Sequence, residues 1–117
     1  MKLTFYKYHG TGNDFILINN FESKISLKIE QIAFLCHRNF GIGADGLMLL
    51  NKSENYDFEM DYYNSDGTGA TMCGNGGRCI VAFAKHLGII KNTTKFTASD
   101  GLHEAKIDEQ NIVSLKM

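Results

Sequence analysis

The residues with the most chemistry in this sequence fall in one run, Met72-Cys73-Gly74-Asn75-Gly76-Gly77-Arg78-Cys79. It continues unbroken into Ile80-Val81-Ala82-Phe83-Ala84-Lys85-His86-Leu87 and stops at Gly88. The pattern reads as a reactive cysteine at the start of a buried helix. Asn75 suits an N-terminal cap or first turn, Lys85 and His86 fall in the last turn where cations complement the dipole, and Gly88 is the expected stop. Cys79 to Ala84 is apolar on every face, the mark of a helix surrounded by protein. Glycine costs about 1 kcal/mol relative to alanine inside a helix, so Gly74, Gly76 and Gly77 were not selected for stability. Bare backbone permits close approach, and the first amides of a helix are unpaired donors at its positive end, where a carboxylate or phosphate fits. The same field lowers a neighbouring thiol's pKa from its reference of about 8.5, so Cys73 is expected to carry more thiolate than a free cysteine. A thiolate beside a carboxylate-binding helix start suggests proton abstraction alpha to that carboxylate, with the amides stabilising the developing carbanion. A single base serves only one face of a stereocentre. Inversion needs a second acid on the other face, and no other residue of this chain stands out for that role.

Other chemistries fit less well. A protease-type nucleophile needs a histidine, and His9, His37, His86 and His103 carry no local signature placing one beside Cys73; the sequence leaves that alternative open. Cys73 and Cys79 point to different sides of the helix and lack chelating spacing, so no metal site is expected. Gly41-Ile42-Gly43-Ala44-Asp45-Gly46 matches the GxGxxG spacing of a dinucleotide loop but follows a helix and precedes a strand, the reverse of the order that binding needs. No cofactor is expected there.

The elements that must position this chemistry follow from periodicity. Leu3 to Tyr8 and Phe15 to Asn19 read as strands, separated by a tight loop, His9 to Asp14, that presents an amide and a carboxylate. Ser26 opens a helix with the apolar face Ile29, Ile32, Ala33 and Cys36, ending near His37 to Gly41. Cys36 on that face is a packing residue. Leu47 to Asn51 and Phe58 to Tyr63 are strands, the latter with Phe58, Met60 and Tyr62 on its buried face, and Asn64-Ser65-Asp66-Gly67 is a turn. Further strands follow at Lys95 to Ser99, Leu102 to Ile107 and Ile112 to Met117, with a hairpin tip at Asp108 to Asn111. The expected fold is α+β, a mixed, mostly antiparallel sheet wrapped around a central buried helix.

With 117 residues, 44% of them hydrophobic, and a net charge of −1, the chain is a single domain with a real core. It has no basic footprint for nucleic acid, no membrane-length apolar run and no signal-peptide pattern, so a cytoplasmic location is expected. Three cysteines are too few for a disulfide framework. The sequence stops at Met117 straight after an alternating strand, which suggests a piece of a longer protein.

His9-Gly10-Thr11-Gly12-Asn13-Asp14-Phe15, Gly41-Ile42-Gly43-Ala44-Asp45, Asn64-Ser65-Asp66-Gly67 and the Cys73 run, in this order, resemble the amino-terminal half of the diaminopimelate epimerase family. The resemblance covers essentially the whole chain. It implies an epimerase independent of pyridoxal phosphate, without cofactor, that interconverts LL- and meso-diaminopimelate through a thiolate/thiol pair. Cys73 matches the first cysteine; the second belongs to a carboxy-terminal domain that this chain lacks. The resemblance also implies that Asn13 and Asn64 contact substrate and that Gly74 and Asn75 lie at its carboxylate. The expected partners are this small molecule and the missing domain, and a homodimer is among the expected assemblies. Gly46 departs from the pattern, standing where many members carry a substrate-contacting glutamine. Two alternatives remain at this point: a related thiol-dependent racemase or isomerase, and an isolated domain that is inactive without its second half.

Overall fold

The computed structural model describes residues 3–10, 12–70 and 74–116. The elements run β1 (Tyr6–Gly10), β2 (Asn13–Asn20), α1 (Ile29–Cys36), β3 (Gly46–Asn51), β4 (Phe58–Asn64), α2 (Gly74–His86), β5 (Thr93–Ala98), β6 (Gly101–Ile107) and β7 (Val113–Lys116). Among the described residues the strands form one seven-stranded sheet in sequential order. The pairs β2–β3 and β4–β5 are parallel and the other four are antiparallel, giving the expected α+β class with a mixed sheet.

Each parallel pair needs a crossover, and each crossover carries a helix. Strands β2 and β4 run in opposite directions because β3 and β4 are antiparallel. Crossovers of one hand therefore place their helices on opposite faces of the sheet. The core divides accordingly. Phe15, Leu17, Met48, Leu50, Phe58, Met60 and Phe96 pack with Ile80, Val81, Phe83 and Ala84 of α2. Ile16, Ile18, Leu47 and Leu49 point the other way, onto Ile32 and Cys36 of α1. The sheet curls over α2 until both edge strands reach it: Tyr6 and Tyr8 of β1 contact Phe83 with ring centroids at 5.0 and 5.7 Å, and Val113 and Leu115 of β7 join the same cluster.

Several details differ from the sequence reading. Strand β1 ends later than expected and β2 begins earlier, because the antiparallel ladder continues to the pair Gly10–Asn13. Asn13 and Asp14 are thus strand residues, not loop residues. Helix α1 opens at Ile29, three positions after Ser26, with the Lys28 N–H donating to Gln31 Oε1 at 2.7 Å. Ile29 is 58% exposed, so the buried side of α1 is narrower than expected. Helix α2 is not buried on every face: Arg78 and His86 are exposed and Ala82 and Lys85 half-buried. Positions 78, 82, 85 and 86 form one stripe, which the apolar window of residues 79–84 samples only at Ala82. Gly88, at φ +80°, ends α2 as expected, its N–H donating to Lys85 O at 3.0 Å. The expected extension of β7 to Met117 lies outside the described residues. Among those described, no helix is long and apolar enough to cross a membrane.

Phe83 is fully buried between α2 and β1. Phe83→Ala is expected to destabilise the protein by about 3–5 kcal/mol, read as a lower midpoint in urea unfolding.

Candidate active site

The site is built on one end of the sheet. Phe15, Gly46 and Asn64 stand in register across β2, β3 and β4, so the start of β2, the start of β3 and the end of β4 share a rim. After Asn64 the chain turns at Ser65–Gly67 and runs back beside β4, with Ala70 N–H donating to Tyr62 O at 2.9 Å and Asn64 N–H to Thr68 O at 2.8 Å. Gly67 makes this turn feasible: its φ is +90°, and a Cβ there would meet the Ile29 carbonyl oxygen. The first turn of α2 meets the same rim through Asn75, which bonds to Asn13 at the start of β2.

The structure joins two of the predicted ligands directly. Asn75 Nδ2 donates to Asn13 Oδ1 at 2.8 Å, linking the first turn of α2 to the first residue of β2. The approach depends on Gly10, where a Cβ would stand 2.8 Å from that of Asn75. Asn64 lies on the rim two strands away, and its amide donates within its own turn to Thr68 Oγ1 at 3.2 Å. Gly74 is half-buried at the start of α2. Cys73, the expected base, lies outside the described residues and is the immediate chain neighbour of Gly74.

Three residues in the rim were not singled out from sequence: Lys7, Arg38 and Asp45. Asn13 Nδ2 donates to Asp45 Oδ2 at 3.2 Å, and the same oxygen accepts the Asp14 N–H at 3.1 Å. Arg38 grips both oxygens of Asp14, at 3.2 and 2.9 Å, and reaches Asp45 Oδ1 at 3.1 Å. Lys7 Nζ closes on Asp14 Oδ2 at 3.0 Å. The Asp14 side chain is only 13% exposed, yet these bonds, chiefly those from Arg38, hold its carboxyl far below the usual carboxylate range against the opposing effect of burial. Asp45 sits inside a motif whose glycines drew attention to nucleotides. The amides of that loop close the end of α1 instead: Gly41 donates to His37 O, Ile42 and Gly43 to Leu35 O, and Ala44 to Cys36 O.

Gly46 also acquires a physical reason. A Cβ there would stand 2.8 Å from Tyr62 Cε1 and 2.9 Å from the Tyr63 carbonyl oxygen, so the Tyr62 ring occupies the space a longer side chain needs. Cys36 is buried beneath α1, and burial pushes its thiol up to about 11, in keeping with a packing role. A groove of about 600 Å3 lies elsewhere, over β5–β7 and lined by Tyr56, Lys95, Glu104 and Lys106 among others; no predicted site residue lines it.

The family described as diaminopimelate epimerase matches residues 5–117. The chain belongs to this family. It is 60% identical to the diaminopimelate epimerase of Flavobacterium psychrophilum, covering 100% of this chain and 45% of the relative. It is 49% identical to that of Chlorobaculum tepidum, over 92% of this chain and 43% of the relative. The chain thus spans less than half the length of these relatives. A methylitaconate-delta-isomerase shares the fold, with a TM-score of 0.72 at 13% identity over 97% of this chain and 62% of that one. So does a hydroxyproline epimerase from Agrobacterium vitis with bound trans-4-hydroxy-L-proline, at TM-score 0.71 and 14% identity over 97% of this chain and 40% of that one.

The Asp14 pKa is depressed in the folded state, so its contribution to stability is fully present above the unfolded value of about 4 and is lost as pH falls through the folded value. Urea midpoints are therefore expected to drop below about pH 4. Asp14→Asn should lower stability at neutral pH and flatten that acid slope.

Proposed function

We propose that this chain is the amino-terminal half of a two-domain cytoplasmic epimerase, independent of pyridoxal phosphate, that interconverts LL- and meso-diaminopimelate for lysine and cell-wall precursor synthesis. Beside membership of the family, one observation carries the reading: the hydrogen bond from Asn75, the residue that follows Cys73-Gly74, to Asn13, which joins two motifs 62 residues apart. A substrate carboxylate seats on the amides at the start of α2, with Asn13, Asn64, Gly74 and Asn75 around it. Those amides stabilise charge spreading into the carboxylate as the α-proton leaves. Cys73, as thiolate, takes that proton from one face. A thiol from the other domain returns a proton to the opposite face, which inverts the centre. On this reading the 117-residue chain is inactive alone.

A second reading is favoured by the Tyr62 ring against Gly46: substrate contacts at this position differ from an amide contact, which suits a related thiol-dependent isomerase with another small acid. Substrate profiling separates the two.

The test is solvent-deuterium incorporation at the α-carbon of diaminopimelate by the full-length protein. Cys73→Ala is expected to abolish exchange and inversion, whereas Cys36→Ala leaves most activity. Equal behaviour of the two variants would deny Cys73 a special role. A wild-type protein that neither exchanges nor inverts would overturn the function.

A further inference from the structure

We infer that Asp45 is a positioning residue for the site: it fixes the orientation of the Asn13 amide and, through Asn13, the seat of Asn75. The inference rests on the epimerase reading in taking those two amides as substrate ligands. A carboxylate can only accept, so the Asn13 group facing Asp45 Oδ2 at 3.2 Å must be Nδ2. Oδ1 is then turned toward Asn75, which donates to it at 2.8 Å. Donation runs in one direction, from Asn75 to Asn13 to Asp45, and bonds ordered head to tail polarise one another. One Nδ2 hydrogen of Asn13 remains uncommitted to Asp45, and a donor at that place suits a carboxylate oxygen of the substrate. With the amide reversed, an oxygen would face that carboxylate instead.

Asp45 is itself rigidly held. Its N–H donates to Asp14 Oδ1 at 3.0 Å and to the Asp14 carbonyl at 3.0 Å, while Arg38 spans from Asp14 to its Oδ1. The Asp45 side chain is 41% exposed. Half-exposed ion pairs add little to stability, so loss of Asp45 should be felt in the geometry of the site more than in folding.

The experiment uses the full-length protein with Asp45→Ala, Asp45→Asn, Asn13→Ala and the double variant Asn13→Ala/Asp45→Ala. Asp45→Ala is expected to lower kcat/KM about 100-fold, mainly through KM, as for a misplaced binding group. Asp45→Asn, which keeps an acceptor for Asn13, recovers part of this. The double variant should be no worse than Asn13→Ala alone; losses that multiply independently would overturn the inference. A second readout needs no turnover. In 15N-resolved spectra the Asn13 side-chain amide should be protected from exchange in the wild type and lose that protection in Asp45→Ala. If the wild type fails on diaminopimelate, the epimerase reading falls while the amide signal still decides the role of Asp45, and an unchanged signal would reject it.

Discussion

The parallel pair β2–β3 is covered on both faces, and this burial dictates where polar chemistry can go. Phe15 to Ile18 and Leu47 to Leu50 alternate between the α2 side and the α1 side, and each residue is at most 4% exposed. A polar side chain within either run would be buried without water, so the polar groups gather at the strand ends. One end is sealed chiefly by the amides of Asn20 and Asn51, the latter donating to Asp61 Oδ2 at 2.8 Å. Asn20 donates to Asn51 Oδ1 at 2.7 Å and to Ile25 O at 3.1 Å, and accepts the Ile25 N–H at 2.8 Å. The other end carries Asn13, Asp14 and Asp45 with their two cations. The asymmetry sets an amide-sealed end apart from a charged one.

Within the charged end, Asp14 contributes stability, whereas the Arg38–Asp45 pair serves geometry more than stability. Arg38 is mostly exposed and Asp45 partly so, and pairs of that kind contribute little net free energy. Asp45 nonetheless orients the Asn13 amide, because a carboxylate can only accept. The helix start is brought to this rigid amide by the missing side chain of Gly10. Glycine thus serves the site from the hairpin as well as from the motif that follows Cys73.

Much of this was legible in the sequence because it depends on local pattern. Alternation at Phe58 to Tyr62, the stop at Gly88 and the packing role of Cys36 all follow from period and residue type. What was not legible depends on chain crossing. The strand assignment stopped short of Asn13 and Asp14 because polar residues read as loop, whereas the ladder to Gly10 decides their conformation. Lys7, Arg38 and Asp45 come from separate segments, and only the parallel pairing of β2 with β3 brings the start of one strand beside the start of the other. The exposed stripe of α2 was hidden by Ala82, an apolar residue at a surface position. Gly46 reads in the sequence as a lost contact, and the fold adds its packing counterpart, the Tyr62 ring in the space a side chain there would need.

The exposure of the rim bears on the proposed chemistry. Asn64 is exposed, and Gly74 and Asn75 are half-buried. Fixed dipoles stabilise a developing carbanion strongly only where water does not screen them. A rim open to solvent supplies the donors without the low-dielectric surroundings. On the proposed reading, a single base at this rim serves one face of the stereocentre. Shielding the amides from water and presenting an acid to the opposite face are therefore met by one structural change, a second protein surface closing over the rim. In the proposed two-domain epimerase a single interface meets both conditions.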